Sequence, residues 1–90
     1  MNGRRDRVEI IFDILRSIQE KKTKMKPTHL LYKSNLSYKR MKNYVEELLR
    51  QGLIEEVAEK RSKYYTLTEQ GYNFIEEYTK VRNFRDSFGI

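Results

Sequence analysis

The hydrophobic residues of this 90-residue chain change their spacing twice, and the two changes limit the folds that the chain can adopt. Up to Gly52, apolar side chains recur every three or four residues, as in helices that bury one face. After Gly52 the spacing falls to two, which is typical of strands, and after Thr68 the helical spacing returns. The sequence therefore predicts three helices, two strands and a last helix, an α+β fold that is mainly helical.

Three helices are predicted before Gly52. The first covers about residues 5–20, the second is short and runs over about 27–33 from a proline, and the third covers about 37–51. Ser37 is a preferred N-cap residue, and Gly52 stands where a left-handed residue commonly ends a helix. About three residues separate the second helix from the third, which is the length of a tight helix-turn-helix corner.

A β-hairpin with a basic tip is predicted after Gly52, with strands over 53–58 and 64–67 and the charged stretch 59–63 between them. Because this stretch contains neither Gly nor Asn, we expect a loop longer than a two-residue primed turn. A short extended segment is also predicted over 23–25. Thr68 can cap the last helix, over about 69–87, where Gly71 costs about 1 kcal/mol of helix propensity and suggests close packing.

The composition favours one small domain that lacks covalent or metal cross-links. Hydrophobic residues make up 38% of the chain, charged residues 36%, and there is no Cys. A core of this size supplies only about 3–5 kcal/mol, so burial against a second copy of the chain would add stability. Without Cys there is neither a disulfide framework nor a thiolate metal site, and we expect no cofactor.

The positive charge of the chain is concentrated in one block. Residues 21–45 contain eight Lys or Arg and no Asp or Glu, whereas the net charge of the whole chain is +6. Such a block attracts polyanions, and neutralising phosphates would make binding depend steeply on salt. A basic surface that is merely solvated remains the alternative.

On a helical wheel, the start of the third helix directs Lys39 and Asn43 away from the core, with Arg40 and Lys42 on the flanks. Arg and Asn can form bidentate contacts with guanine and adenine, while Lys suits phosphates. Tyr38 is expected either to stack on the backbone or to hold the third helix on the second. A charged hairpin tip can also serve only to discourage edge pairing. The candidate DNA-binding residues are Ser37, Tyr38, Lys39, Arg40, Lys42, Asn43, Lys60, Arg61 and Lys63.

The last helix carries more apolar surface than one small domain can cover, so part of it is expected to face a second copy. The alternative is that this helix folds back on the first one. We expect residues 1–68 to bind DNA and residues 69–90 to form a dimerisation helix. The candidate dimer-interface residues are Phe74, Tyr78, Val81, Phe84 and Phe88.

Four segments, over 31–38, 44–49, 52–54 and 65–71, resemble a family of small archaeal winged helix-turn-helix proteins that includes transcriptional regulators and chromatin-associated proteins. The resemblance covers about residues 8–78. It implies a homodimer, held by antiparallel C-terminal helices, that binds duplex DNA through the third helix and the hairpin, or wing. The family's usual Lys-Thr-Arg is here Pro27-Thr28-His29, so no backbone contact is carried over to His29.

The predicted function is therefore that of a dimeric, sequence-specific DNA-binding protein, most simply a transcriptional regulator. A nonspecific chromatin-type role is the nearest variant, and a protein-interaction module or an RNA-binding domain are further alternatives. With one His and no Gly-rich phosphate loop or metal-ligand spacing, an enzyme is not expected. No small-molecule ligand is inferred. The start of the chain does not resemble a signal peptide and no apolar run suits a membrane span, so we expect a cytoplasmic, nucleoid-associated protein.

Overall fold

Six elements follow one another in the order that the sequence predicts. The computed structural model describes residues 5–21 and 24–89. Three helices and a two-stranded hairpin precede a long last helix, which confirms the mainly helical winged helix-turn-helix arrangement. The elements are α1 (Arg7–Glu20), α2 (Pro27–Ser34), α3 (Tyr38–Arg50), β1 (Ile54–Glu59), β2 (Ser62–Leu67) and α4 (Glu69–Ser87).

Side-chain caps and left-handed residues set the helix ends. Helix α1 begins two residues later than predicted because Asp6, with extended backbone, forms a capping box with Glu9. The Ser37 hydroxyl caps α3, as predicted. Asn35 (φ 57°) ends α2, and the corner between α2 and α3 has the three residues expected. At the other end of α3, Gly52 (φ 73°) follows the helix in the left-handed conformation, as predicted.

The core forms around α1, whose apolar stripe packs against α2, β2 and α4. Ile14 and Leu15 of α1 are fully buried, together with Leu30 of α2 and Leu48 of α3. Leu31, the next residue of α2, is half-buried and packs at the edge of this core. Burying such side chains stabilises the fold by about 1.5–3 kcal/mol each, so the shared contact with α1 fixes where the other elements lie.

The hairpin extends into a third, very short strand. Strands β1 and β2 are antiparallel, and Met25 pairs with Tyr65 of β2 through backbone hydrogen bonds of 2.9 and 2.8 Å. Met25 belongs to the extended segment predicted over 23–25, of which Thr23 lies outside the described residues. Both Met25 and Tyr65 are buried, so the bridge attaches the hairpin to the helical core.

The predicted length of the hairpin loop is wrong. Glu59 pairs with Ser62, which leaves a turn of only two residues, Lys60 and Arg61, although neither is Gly or Asn. Lys60 takes the left-handed conformation (φ 57°), at a cost of about 1–2 kcal/mol for a residue with a Cβ. Pairing along the whole of both strands outweighs this local preference.

Helices α3 and α4 are joined by a group of four residues, Gly52, Leu53, Thr68 and Gly71, which we term the α3–α4 junction. The Thr68 hydroxyl donates to the carbonyl oxygen of Gly52 (2.6 Å) and accepts from the Gly71 amide (3.1 Å). The Thr68 amide donates to the Leu53 carbonyl (3.2 Å). A Cβ on Gly71 would lie 2.2 Å from that carbonyl oxygen, so the close packing expected at Gly71 is present.

The two halves of α4 have different surroundings. In the first half, Ile75 is buried in the core and the ring of Tyr78 lies 4.9 Å from that of Phe12 in α1. Residues 81–89 are all exposed. The second half projects from the domain, consistent with molecular extents of 48 × 27 × 21 Å. We term residues 81–89 the α4 overhang.

Replacing Gly71 by Ala tests the junction. Helix propensity alone predicts that Gly71→Ala gains about 1 kcal/mol, but overlap with a backbone oxygen costs about 1–3 kcal/mol. We expect a net loss in the free energy of unfolding, measured by urea denaturation. Asn73→Ala, at an exposed position of the same helix, is the matched control and should leave stability unchanged or raised. A Gly71→Ala variant as stable as the parent would contradict the close approach.

Candidate nucleic-acid interface

The start of α3 presents unused hydrogen-bond donors. The Ser37 hydroxyl accepts from the backbone amide of Arg40 at 3.2 Å. The amides of Tyr38 and Lys39, in the first turn, have no acceptor within the helix. This turn contains no acidic residue, so its partial positive charge is not offset locally. Such a helix start can bind an anionic oxygen.

The leading face of α3 carries cations that are not used elsewhere. Lys39, Arg40 and Lys42 are exposed, and in the described ranges none of them forms an ion pair. The amide of Asn43 is also exposed and makes no side-chain hydrogen bond to a described residue. We term these four residues the α3 face. Its side chains are free to donate to an external partner.

The acidic residues of α3 lie further along the helix. Glu47 forms an ion pair with Arg7 of α1 and accepts a hydrogen bond from Gln51 at 3.2 Å. Glu46 remains exposed. Glu47 is thereby partly neutralised, and only Glu46 among these carboxylates would oppose a polyanion beside the α3 face.

The three predicted cations of the wing differ in their surroundings. Lys63 pairs with Glu56, its diagonal neighbour on β1, at 3.3 Å. The hydrogen bond to Glu56 is the main reason that the pKa of Lys63 is raised, and the field of Tyr65 adds to it. Lys60 and Arg61 occupy the exposed turn and form no ion pair with any described residue. The tip of the wing therefore has free charge, while Lys63 is already partnered.

The wing and the start of α3 are neighbours. Burial is the main cause that raises the pKa of Tyr65 on β2. The positive charge of Lys63 lowers this pKa, and the fields of Tyr38 and Glu46 raise it further. Tyr38 likewise acts on Lys63. These electrostatic interactions indicate that Tyr38, in the first turn of α3, lies near β2, so one extended partner can reach both.

Two lysines near the wing were missed by the sequence analysis. Lys24 pairs with Glu59 and lies 5.0 Å from the ring centroid of Tyr64, and Lys26 lies 5.9 Å from the same centroid. Lys26 has no ion pair with a described residue. The feature of the sequence that could have identified them is the extended segment before Pro27, because pairing of that segment with β2 brings its flanking lysines to the wing.

Helix α2 contributes an exposed aromatic side chain that also was not predicted to be functional. Tyr32 is 86% exposed, and it shares the outward face of α2 with Thr28. The spacing of apolar residues shows only that Tyr32 lies on the side of α2 opposite the buried Leu30. Tyr32 is therefore available for contact with a partner.

The basic block of residues 21–45 does not lie on a single surface. Its members in α3 form the α3 face, and Lys24 and Lys26 lie beside the wing. Lys21 and Lys33 instead line depressions formed with α1, and Lys22 lies outside the described residues. Five of the eight cations in the block therefore lie on α3 or beside the wing.

The five candidate dimer residues fall into two groups. Phe74 and Tyr78 are half-buried against the chain's own core. Val81, Phe84 and Phe88 are 50%, 63% and 67% exposed in the overhang. The rings of Phe84 and Phe88 contact each other, with centroids 4.9 Å apart. The apolar surface available to a second copy is that of the overhang.

Two further kinds of feature are absent from the part of the chain that the structure describes. No three or more His, Cys, Asp or Glu residues there are grouped so that they could hold a metal ion. No helix within residues 5–21 and 24–89 combines the length and apolar character that a bilayer span needs.

Comparison with protein families gives a direct match. A family model described as winged helix-turn-helix matches residues 4–86. An uncharacterised protein of Methanocaldococcus jannaschii, MJ0290, is 35% identical over 78 residues, which are 87% of this chain and 34% of that protein. The chain thus spans about a third of the length of this curated relative.

Solved structures of similar shape include DNA-binding and regulatory proteins. Sso10a-2, a DNA-binding protein from Sulfolobus solfataricus, superposes with a TM-score of 0.73 at 31% identity, over 92% of this chain and 87% of that one. MepR, a transcription regulator of the Staphylococcus aureus multidrug efflux pump MepA, gives a TM-score of 0.79 at 16% identity, over 88% of this chain and 60% of that one. The second likeness concerns the fold alone.

Substitution of Ser37 separates the stability of α3 from its charge. Ser37→Ala removes the cap and should lower the free energy of unfolding by about 1 kcal/mol. Ser37→Asp keeps a capping oxygen and should restore that stability, but it adds a carboxylate at the helix start. On a heparin column, a sulfated polyanion, the Asp variant should elute at the lowest salt of the three proteins. Elution of the Asp variant with the parent would show that the helix start does not face the polyanion.

Proposed function

Because the chain belongs to the winged helix-turn-helix family, whose members share a DNA-binding fold, we propose that it binds specific sites on duplex DNA as a homodimer and regulates transcription. In this proposal α3 enters the major groove and the wing contacts the backbone. The DNA concerned would be that of the nucleoid, in the cytoplasm. Residues 1–68 would bind DNA and residues 69–90 would join the two copies.

The α3 face is the observation that carries this proposal. Arg40 and Asn43 have the donors and acceptors for bidentate contacts with guanine and adenine. Lys39 and Lys42 suit phosphates, as do the free amides after Ser37. All these side chains lie in the first turns of α3, and N-terminal residues of a recognition helix commonly contact base edges.

The wing supports backbone contact beside the groove. Lys60 and Arg61 have no carboxylate partner among the described residues, so binding a phosphate would not require an internal ion pair to break. Lys26 adds a cation beside the same hairpin. Lys63 can contribute only by exchanging Glu56 for a phosphate. We therefore assign the main role in the wing to Lys60 and Arg61.

Substitutions on the α3 face distinguish specific from nonspecific binding. On a duplex selected from genomic fragments, Arg40→Ala and Asn43→Ala should each cost about 1–3 kcal/mol, because a base contact is lost. Asn43→Ala should leave binding to a scrambled duplex unchanged. Lys42→Ala should weaken both duplexes and lower the slope of log affinity against log salt by about 1. Fluorescence anisotropy titrations at several salt concentrations measure these effects.

Arg50→Ala is the matched control, since it removes the same charge from the exposed surface of α3 about 15 Å further along the helix than Arg40. It should leave the preference for the selected duplex intact. If Arg40→Ala and Asn43→Ala weaken the selected and scrambled duplexes equally, the chain has a nonspecific, chromatin-type role. Binding that does not weaken with salt would indicate a protein-interaction module, and preference for double-stranded RNA would exclude the major-groove assignment.

The α4 overhang supports the homodimer. Its aromatic residues Phe84 and Phe88 are exposed and their rings contact each other. Burying such an apolar surface against a second one is favourable because it removes both from water. A two-fold pairing of overhangs would place the same residues on both sides of the interface. This arrangement would hold two α3 helices at a fixed separation on one duplex.

Charge placed in the overhang tests the dimer. The double substitution Phe84→Glu, Phe88→Glu should halve the mass measured by sedimentation equilibrium, because four carboxylates would have to be buried in the interface. Unfolding monitored by circular dichroism should remain cooperative, since both positions lie outside the core.

Tyr72→Glu is the control for this substitution, because Tyr72 is also an exposed aromatic residue of α4 but lies near its start. The control variant should keep the mass of the parent. A parent that sediments as a monomer, or a double variant with an unchanged mass, would exclude the overhang as the interface.

A further inference from the structure

A basic cavity lies on a part of the molecule that the proposed DNA contacts do not use. Its volume is about 360 Å³, at the lower end of the range of about 300–1,000 Å³ for ligand pockets. Three helices contribute charged side chains to it. These are Arg5, just before α1, Asp13, Arg16 and Glu20 of α1, Lys33 of α2 and Arg82 of α4.

The charges around this cavity do not balance. Arg5 is held by Asp13 at 2.8 Å and by the carbonyl oxygen of Ser34 at 3.0 Å, and Arg16 lies 3.6 Å from Glu20. The remaining two cations, Lys33 and Arg82, have no ion pair with a described residue. The lining therefore has an excess of two positive charges in a concave site.

Arg16 contains a polar atom that the fold leaves unsatisfied. Its Nε is buried and has no hydrogen-bond partner. The guanidinium groups of Arg16 and Arg82 both lie over the ring of Phe12, at 5.8 and 5.0 Å from its centroid. The guanidinium groups of Arg16 in α1 and Arg82 in α4 thus lie over the same aromatic ring. Both have hydrogen-bond donors that the fold does not use.

We propose that this cavity binds the phosphate group of a small soluble molecule, of which inorganic phosphate is the simplest form. A phosphate monoester carries about −1.5 to −2 charges at neutral pH, which matches the excess of the lining. Its several acceptor oxygens can receive donors from helices that approach in different directions, whereas a carboxylate offers two oxygens in one plane. The Phe12 ring excludes water from one side and strengthens these contacts.

The DNA backbone is a different source of the same group, and the location of the cavity argues against it. No residue that lines the cavity belongs to α3 or to the hairpin. A phosphate bound there would instead connect α1 and α2 to Arg82, near the start of the overhang. The proposal does not depend on DNA binding, and its test uses protein alone.

Thermal unfolding in phosphate and in chloride, at equal ionic strength and pH, tests the site. The melting temperature of the parent should rise by about 4 °C or more once phosphate exceeds its dissociation constant severalfold. This rise should disappear in Arg82→Gln and in Arg16→Gln, each compared with its own melting temperature in chloride. Arg85→Gln is the matched control, because it removes the same charge from the same helix outside the cavity, and it should keep the full rise.

Two further arms identify the ligand. Acetate at the same ionic strength should give a much smaller rise than phosphate. Arg16→Gln, which lies outside both the proposed DNA contacts and the overhang, should bind duplex DNA as tightly as the parent in the absence of phosphate. The proposal is overturned if the parent shows no rise, if all variants show the same rise, or if Arg85→Gln also loses it. An equal effect of acetate, or weaker DNA binding by Arg16→Gln, would overturn the assignment to a small phosphate.

Discussion

The α3–α4 junction is the constraint on which the arrangement of the functional surfaces depends. One threonine, Thr68, bonds to the end of α3 through Gly52, to the start of β1 through Leu53, and to the first turn of α4 through Gly71. The missing side chain at Gly71 lets α4 approach the Leu53 carbonyl. Helix α3, which carries the α3 face, and helix α4, which carries the overhang, are therefore linked by a few hydrogen bonds at this junction. A displacement of either helix is passed to the other with little flexible chain between them.

The sequence predicted most of the fold because its helix signals are local and consistent. The spacing of Ile11, Ile14 and Ile18, the capping residues Ser37 and Thr68, and the left-handed Gly52 each determine a boundary within one or two residues. The exposure of Lys39, Arg40, Lys42 and Asn43 also follows from the period of the helix. These features needed no knowledge of long-range contacts.

What the sequence missed depends on contacts between distant residues. The two-residue turn at Lys60 and Arg61 contradicts local turn preferences, because strand pairing and the Met25–Tyr65 bridge act over the whole hairpin. Lys24 and Glu59 are 35 positions apart, so their ion pair is invisible to any spacing rule. For the same reason the cavity between α1, α2 and α4 was not foreseen. Its cations come from four separate stretches of the chain.

The internal ion pairs of the wing affect how binding would be measured. The slope of log affinity against log salt counts the small ions that are displaced from both partners. Lys63 and Lys24 already hold Glu56 and Glu59, so when either lysine turns to a phosphate it releases a carboxylate of its own chain. A phosphate contact made by such an exchange releases fewer small ions into solution than a phosphate contact made by an unpaired cation such as Lys60. A contact number derived from titrations would consequently fall below the number of lysines and arginines that touch the duplex.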